Sequence, residues 1–206
     1  PGGGYPILRT FPEVPLTTPI TVTFNNAATR DYNGVAFTGG GVLSYSITPE
    51  SGVLTGLTYD GTAQNQKNAG THSISGFYAP QTVYSITYVP GYVTISPKAL
   101  TVNATDETKT YDGNTSISAK GTVASTLISG DVVNSGGTQT YDNKNVGTDN
   151  KTVTASGVTI MDGANADMTG NYAITYVTNT LSTITTKSLS IDGLTALNKA
   201  YNGGDD

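Results

Sequence analysis

The sequence predicts an all-β chain of antiparallel β-sandwiches placed end to end, and three observations carry that prediction. The first is composition. Among 206 residues there are 36 Thr, 16 Ser, 16 Asn and 25 Gly, against 11 Leu and 3 Glu. β-Branched residues abound and the best helix formers are scarce, which argues against bundles, coiled coils and α/β nucleotide-binding folds. The second is two-residue alternation of large and small side chains, the signature of half-buried strands. The third is internal repetition with a period of 80–90 residues, the size of one small sandwich.

The elements follow in chain order. Leu43, Tyr45 and Ile47 alternate with polar residues, as do Tyr84, Ile86 and Tyr88 around Ser85 and Thr87. Val93/Ile95, Leu100/Val102 and Val158/Ile160 extend the pattern. Between them lie Asn33-Gly34, Asp60-Gly61, Asp112-Gly113 and Asp162-Gly163, dipeptides that favour positive φ and tight turns. Short strands separated by such turns read as antiparallel hairpins.

One phrase occurs three times: Thr29-Arg30-Asp31-Tyr32-Asn33-Gly34, Thr108-Lys109-Thr110-Tyr111-Asp112-Gly113 and Asn198-Lys199-Ala200-Tyr201-Asn202-Gly203, with tyrosines 79 and 90 residues apart. A second, Lys67-Asn68-Ala69-Gly70-Thr71, returns 77 residues on as Lys144-Asn145-Val146-Gly147-Thr148. A third, Tyr84-Ser85-Ile86-Thr87-Tyr88-Val89, returns after 88 as Tyr172-Ala173-Ile174-Thr175-Tyr176-Val177. The stretch from Thr94 to Leu100 then matches Thr183 to Leu189. The order is the same each time, so the chain divides into two complete units, 20–97 and 98–186. Residues 187–206 open a third unit, and the Gly/Pro-rich residues 1–19 read as a linker or the remnant of a preceding repeat. No Gly/Ser spacer separates the units: Pro97-Lys98-Ala99-Leu100 passes straight from one to the next, which predicts a semi-rigid string.

Several function classes are disfavoured. Zero Cys excludes disulfides, thiolate zinc sites and thiol catalysis, and one histidine, His72, excludes a multi-histidine metal centre. A net charge of −5 disfavours nucleic acid and anionic membranes, and no apolar run reaches the roughly 18–20 residues of a membrane helix. The start of the sequence carries no signal-peptide pattern, so it reads as a fragment or processed piece.

Taken together, Lys109 to Gly113, Asn145 to Thr148, Asn171 to Val177 and the exit Thr94 to Val102 resemble the bacterial YDG and MBG ("mostly bacterial Ig-like") repeats. Unit 98–186 is similar to the YDG type. Unit 20–97 has Asn33 in place of Asp and Pro80-Gln81 ahead of its tyrosine strand, and is closer to MBG. The resemblance implies tandem Ig-like sandwiches of a large secreted surface adhesin of the filamentous haemagglutinin kind. It further implies a non-catalytic extender or stalk at the bacterial cell surface. The implied partners are neighbouring repeats of the same chain, with host or matrix glycans and proteins bound through other parts of the full protein. Two other classes stay open: a glycan- or protein-binding module, and a filament subunit in which segments 1–19 and 187–206 complete neighbouring sandwiches by strand addition.

Candidate site residues have a chemical and a structural reading. Tyr111 beside Asp112 is a pair suited to acid–base chemistry. Recurrence of the phrase as Tyr32/Gly34, Tyr111/Asp112/Gly113 and Tyr201 favours a structural role, with the Asp-Gly step turning the chain and Tyr111 anchoring it on the core, in the manner of a tyrosine corner. Asp162, Asn165 and Asp167 gather oxygen ligands in a short loop, as calcium sites do, and Asp106 and Glu107 are a second calcium candidate. The alternative for both is a solvated acidic loop, and no other cofactor is expected. His72 reads as a strand histidine, there being no Gly-x-Ser-x-Gly elbow to form a triad. Lys98 and Lys187 occupy equivalent junction positions, where a Lys–Asn cross-link or a solvated lysine is the choice.

Overall fold

The structure, a computed structural model, describes residues 16–198, 200, 201 and 203. Of the proposed linker, residues 1–15 lie outside the described residues, as do Lys199, Asn202 and residues 204–206 of the third repeat.

Among the described residues the fold is all-β, with several sheets and one 3-10 turn at Thr169–Asn171, an arrangement consistent with a β-sandwich. The strands of the first half are β1 Thr18–Phe24, β2 Arg30–Asp31, β3 Leu43–Tyr45, β4 Thr58–Tyr59, β5 Gly70–Ile74, β6 Gly76–Phe77, β7 Tyr84–Val89 and β8 Gly91–Ser96. Those of the second half are β9 Lys98–Asn103, β10 Thr108–Thr110, β11 Ser116–Ile117, β12 Thr122–Val123, β13 Asp131–Tyr141, β14 Gly147–Asp162, β15 Tyr172–Val177 and β16 Asn179–Thr185.

Sheet order is β3-β1-β7, β2-β8-β5 and β4-β6 in the first half, and β12-β9-β15 and β10-β16-β14-β13-β11 in the second. Strands that match in sequence take matching places. β9 sits beside β15 as β1 sits beside β7, and β16 is flanked by β10 and β14 as β8 is flanked by β2 and β5.

The expectation of purely antiparallel sheets is corrected. β1 pairs with β7 in parallel over six residues, Thr18↔Tyr84 to Thr23↔Val89. β2 pairs in parallel with β8, and β10 with β16. Turn dipeptides report only hairpins between consecutive strands. A parallel pair joins strands far apart in sequence and leaves no local signal.

The chain clusters into two compact units, each assembled from non-consecutive segments. The first holds the described residues up to Thr101 with Ser125–Ser135 and Val158–Thr175; the second holds Val102–Ala124, Gly136–Gly157 and the described residues from Tyr176 onward. In the first unit Val22, Phe24, Ala63, Ile74 and Val93 form a buried core, with Tyr45, Tyr59, Tyr78 and Tyr88 against it. The alternation of β1 and β8 puts those aliphatics on one face. Three of these tyrosines use their hydroxyls within the unit: Tyr45 and Tyr78 bond each other at 2.6 Å, and Tyr88 accepts the Tyr78 N–H at 2.9 Å.

In the second unit Tyr141, Val153 and Ile184 form a buried cluster, with Ala104 and Ile117 packed on it. It also buries Gln139, which is tolerated because its amide is fully used. Gln139 Oε1 accepts the Thr105 N–H at 2.9 Å, while Nε2 donates to the Thr105 hydroxyl at 2.7 Å and the Ala119 carbonyl at 3.1 Å.

Candidate functional site

The repeated Tyr-Asn/Asp-Gly phrase is built twice on the same frame. β2 leads into Tyr32-Asn33-Gly34 and β10 into Tyr111-Asp112-Gly113. Each turn closes on its own side chain: Asn33 Oδ1 accepts the Val35 N–H at 3.0 Å and Asp112 Oδ1 the Asn114 N–H at 3.1 Å. The glycine then takes a left-handed conformation, with φ 75° at Gly34 and 84° at Gly113. Gly61, expected to turn in the same way, lies outside that region. A Cβ there would sit 2.2 Å from the Ser73 carbonyl oxygen, so Gly61 serves close backbone approach instead.

A basic residue two positions before each tyrosine holds the loop from the other side. Arg30 donates to the Val35 carbonyl at 2.7 Å and lies 5.7 Å from the Phe37 ring centre. Lys109 donates to Asp112 Oδ1 and the Asn114 carbonyl, each at 2.8 Å, and to Asn114 Oδ1 at 3.0 Å, and lies 5.4 Å from the Tyr141 ring centre. Lys109 holds the Asp112 carboxyl below the usual carboxylate range, with the Asn114 N–H assisting. A cleft of about 310 Å³ opens here, lined by Glu107, Lys109, Asp112, Ser116, Ile117 and Tyr141 among others. Its lysine is saturated with acceptors and its aspartate is ionised at neutral pH. The groups at hand bind the turn in place.

The second repeated phrase comes to the same place. Arg30 and Gly70 both pair with Ile95, one on each side of β8. Lys109 and Gly147 both pair with Ile184, one on each side of β16. The Tyr-Asn/Asp-Gly turn and the Lys-Asn-Ala/Val step therefore converge at one end of each sheet.

The two corners differ in what covers them. Tyr32 is 2% exposed, whereas Tyr111 is 36% exposed and does not occupy the core position the sequence reading gave it; Tyr201 is 97% exposed. In the first unit the Tyr32 hydroxyl donates to Asp131 Oδ2 at 2.9 Å, and its ring meets that of Tyr172 edge-on at 5.6 Å. Tyr172 donates to the same oxygen at 2.7 Å and accepts the Ile128 N–H at 2.9 Å. Burial, with Asp131 beside it, pushes the Tyr32 phenol well above the usual tyrosine range. Tyr172 is pushed up to about 12, chiefly by burial, with the Ile128 N–H opposing and Asp131 adding.

Sequence reasoning missed this role of Tyr172 and its counterpart Tyr84, whose hydroxyl accepts the Glu50 N–H at 2.8 Å. These two, not Tyr111, tie a loop amide to a strand in the way a tyrosine corner does. The signal was present, since each heads the repeated Tyr-x-Ile-Thr-Tyr-Val phrase.

The calcium candidates use their oxygens internally. Asp162 Oδ1 accepts the N–H groups of Ala164 and Ala166, each at 2.9 Å, and Oδ2 faces Lys67 Nζ at 3.5 Å. The Ala166 and Ala164 amides, with Lys67, hold its carboxyl low. Asn165 turns the loop at φ 64°, and Asp167 Oδ1 accepts the Thr169 N–H at 2.8 Å. Elsewhere Ser182 donates to Asp106 Oδ1 at 3.4 Å and Thr105 to Glu107 Oε1 at 2.7 Å. Among the described residues no group of three or more His, Cys, Asp or Glu side chains is placed to hold a metal ion. His72 lies in β5 and its Nε2 bonds the Asn68 carbonyl at 3.0 Å. Lys98 is half-buried at the start of β9 and Lys187 is exposed.

Residues 96–180 match the model of the YDG domain, a range that takes in Lys109–Gly113, Asn145–Thr148 and Asn171–Val177. No curated protein matches the chain.

Proposed function

We propose that this chain is a non-catalytic spacer: a stalk segment of tandem Ig-like domains in a bacterial cell-surface adhesin, holding an adhesive region away from the cell. Its partners on this reading are neighbouring repeats, with glycans or host proteins engaged by other parts of the full protein. The YDG match at 96–180 supports the family context.

The observation that carries the mechanical reading is the parallel pairing of early and late strands in each half. β2 runs parallel to β8 with Arg30↔Ile95 and Asp31↔Ser96, and the ladder extends through the Tyr32 N–H to the Ser96 carbonyl at 2.8 Å. β10 runs parallel to β16 from Thr108↔Thr183 to Thr110↔Thr185, extended by the Tyr111 N–H to the Thr185 carbonyl at 2.9 Å. Tension applied at the two ends of a half pulls such strands in opposite directions along their length. The ladder bonds then resist together in shear, where an antiparallel hairpin would unzip one bond at a time. That geometry suits a spacer under tension.

Single-molecule pulling from the two termini tests it. The expected record has discrete high-force unfolding events, as parallel ladders give way together rather than bond by bond. Smooth extension at low force would overturn the reading, as would glycan binding by the isolated chain.

A further inference from the structure

We propose that the surface formed by Tyr111, Gly113 and Lys144–Val146 is the docking face for a further repeat of the 98–186 type. The inference rests on the spacer reading and deepens it to named residues.

In the first unit the equivalent face is covered, and later chain segments do the covering. Tyr32 gives its hydroxyl to Asp131 and its ring to Tyr172. A Cβ added at Gly34 would lie 2.7 Å from Ile128 Cγ2. Lys67 faces Asp162 at 3.5 Å, the Ala69 N–H donates to Asn171 Oδ1 at 2.7 Å, and Asn171 Nδ2 donates to Asn68 Oδ1 at 3.1 Å. Both repeated phrases thus hold one set of partners, drawn from residues 125–135 and 158–175, all within that unit.

In the second unit the same two phrases are brought together in the same way around Ile184, and the face they form is open. Tyr111 is 36% exposed where Tyr32 is 2%, and Val146 is 48% exposed. A Cβ at Gly113 would meet nothing within 4 Å. Lys144 and Asn145 are exposed.

The occupant follows from the covered example. It is a unit that presents an aspartate for the tyrosine hydroxyl, an aspartate for Lys144, and an asparagine for the amide at Val146. Asp131, Asp162 and Asn171 supply that set, so the partner is another repeat carrying their counterparts. Asp112 adds a negative charge to the face, and Lys109, bonded to it at 2.8 Å, offsets that charge.

The test compares the native chain with an extended one in which a second copy of residues 98–186, carrying Tyr111→Phe so that only the original Tyr111 is read, follows residue 186. Tyrosine nitration is followed residue by residue by peptide mass spectrometry. In the native chain Tyr111 is expected to react roughly tenfold faster than Tyr32. In the extended chain Tyr111 should slow to the Tyr32 rate, and Asp131→Ala in the added copy should return it to its native rate. Tyr141, 3% exposed in the same unit, reports whether that unit is folded, and hydrogen exchange at Lys144–Val146 gives an independent readout. Tyr111 reacting at its native rate in a folded extended chain overturns the docking face alone. Free reaction of Tyr32 in the native chain overturns the covered example and, with it, the rigid-spacer reading.

Discussion

The hydroxyls of Tyr32 and Tyr172 converge on a single carboxylate oxygen, Asp131 Oδ2, at 2.9 and 2.7 Å. Both rings are buried, and apart from a weak 3.7 Å contact of the Tyr32 hydroxyl with Met168 Sδ both donors depend on that one acceptor. Asp131→Ala therefore leaves two buried hydroxyls short of a partner, at about 1–3 kcal/mol each before relaxation. Tyr32→Phe removes one donor and leaves the acceptor still bonded to Tyr172, so it should cost about 1 kcal/mol. Urea denaturation of the two variants should rank Asp131→Ala well below Tyr32→Phe. Equal midpoints would mean that water replaces Asp131 at no cost.

The same pair contributes to the alkaline limit, together with Tyr78 and Tyr141, whose phenols burial also pushes up. An unfolded tyrosine ionises near 10, while folded Tyr172 holds its proton to about 12. A group whose folded pKa is raised contributes stability that is whole below the unfolded value and lost as pH climbs to the folded one. Melting temperature should hold level up to about pH 10 and fall between about pH 10 and 12. Tyr172→Phe should flatten part of that fall, measured against the parent chain in the same buffers.

Gly34 and Gly113 share a backbone conformation and differ in surroundings. Alanine at either position meets the left-handed penalty, about 1 kcal/mol. At Gly34 the new methyl also meets Ile128 at 2.7 Å, while at Gly113 it meets open space. Gly34→Ala should thus be the more destabilising of the two, and Gly34→Ala with Ile128→Leu, which takes the Cγ2 methyl off Cβ at constant volume, should recover part of the difference. Thermal melts of the three variants provide the check.

Calcium should leave the melting temperature unchanged. Asp162 already spends one oxygen on two amides and the other on Lys67. A cation would have to displace those bonds at a site with too few carboxylates to repay the loss. A rise in melting temperature with millimolar calcium over chelator would reinstate the loop as a binding site.

How far the sequence could be read follows the range of each signal. Alternation around Val93 and Ile95 placed β8, because burial on one face repeats every two residues. Asn33-Gly34 and Asp112-Gly113 were legible as turns because positive φ is a local property. The parallel partners of β1 and β2 were not, since strand pairing across sixty or more residues depends on the whole sheet. The difference between Tyr32 and Tyr111 was invisible for the same reason. Both stand in the same phrase, and Asp131 and Ile128, which distinguish them, lie far along the chain from Tyr32.

Lys151 was not singled out by spacing, and its burial makes it the sharpest test of the second unit. It is 5% exposed in β14, and its Nζ donates to Asn143 Oδ1 at 2.8 Å, with no carboxylate within 4 Å among the described residues. Its stem lies against the backbone at Gly147, where a Cβ would come within 2.9 Å of Cε. Asn143→Ala removes the acceptor and strands a buried ammonium, at about 1–3 kcal/mol or more. Lys151→Met keeps the stem, removes the charge and leaves Asn143 with Asp142 and solvent, so its cost should be near zero. Chemical denaturation should place Asn143→Ala below Lys151→Met. The reverse order would mean that Nζ is hydrated in solution and that the Asn143 contact contributes little.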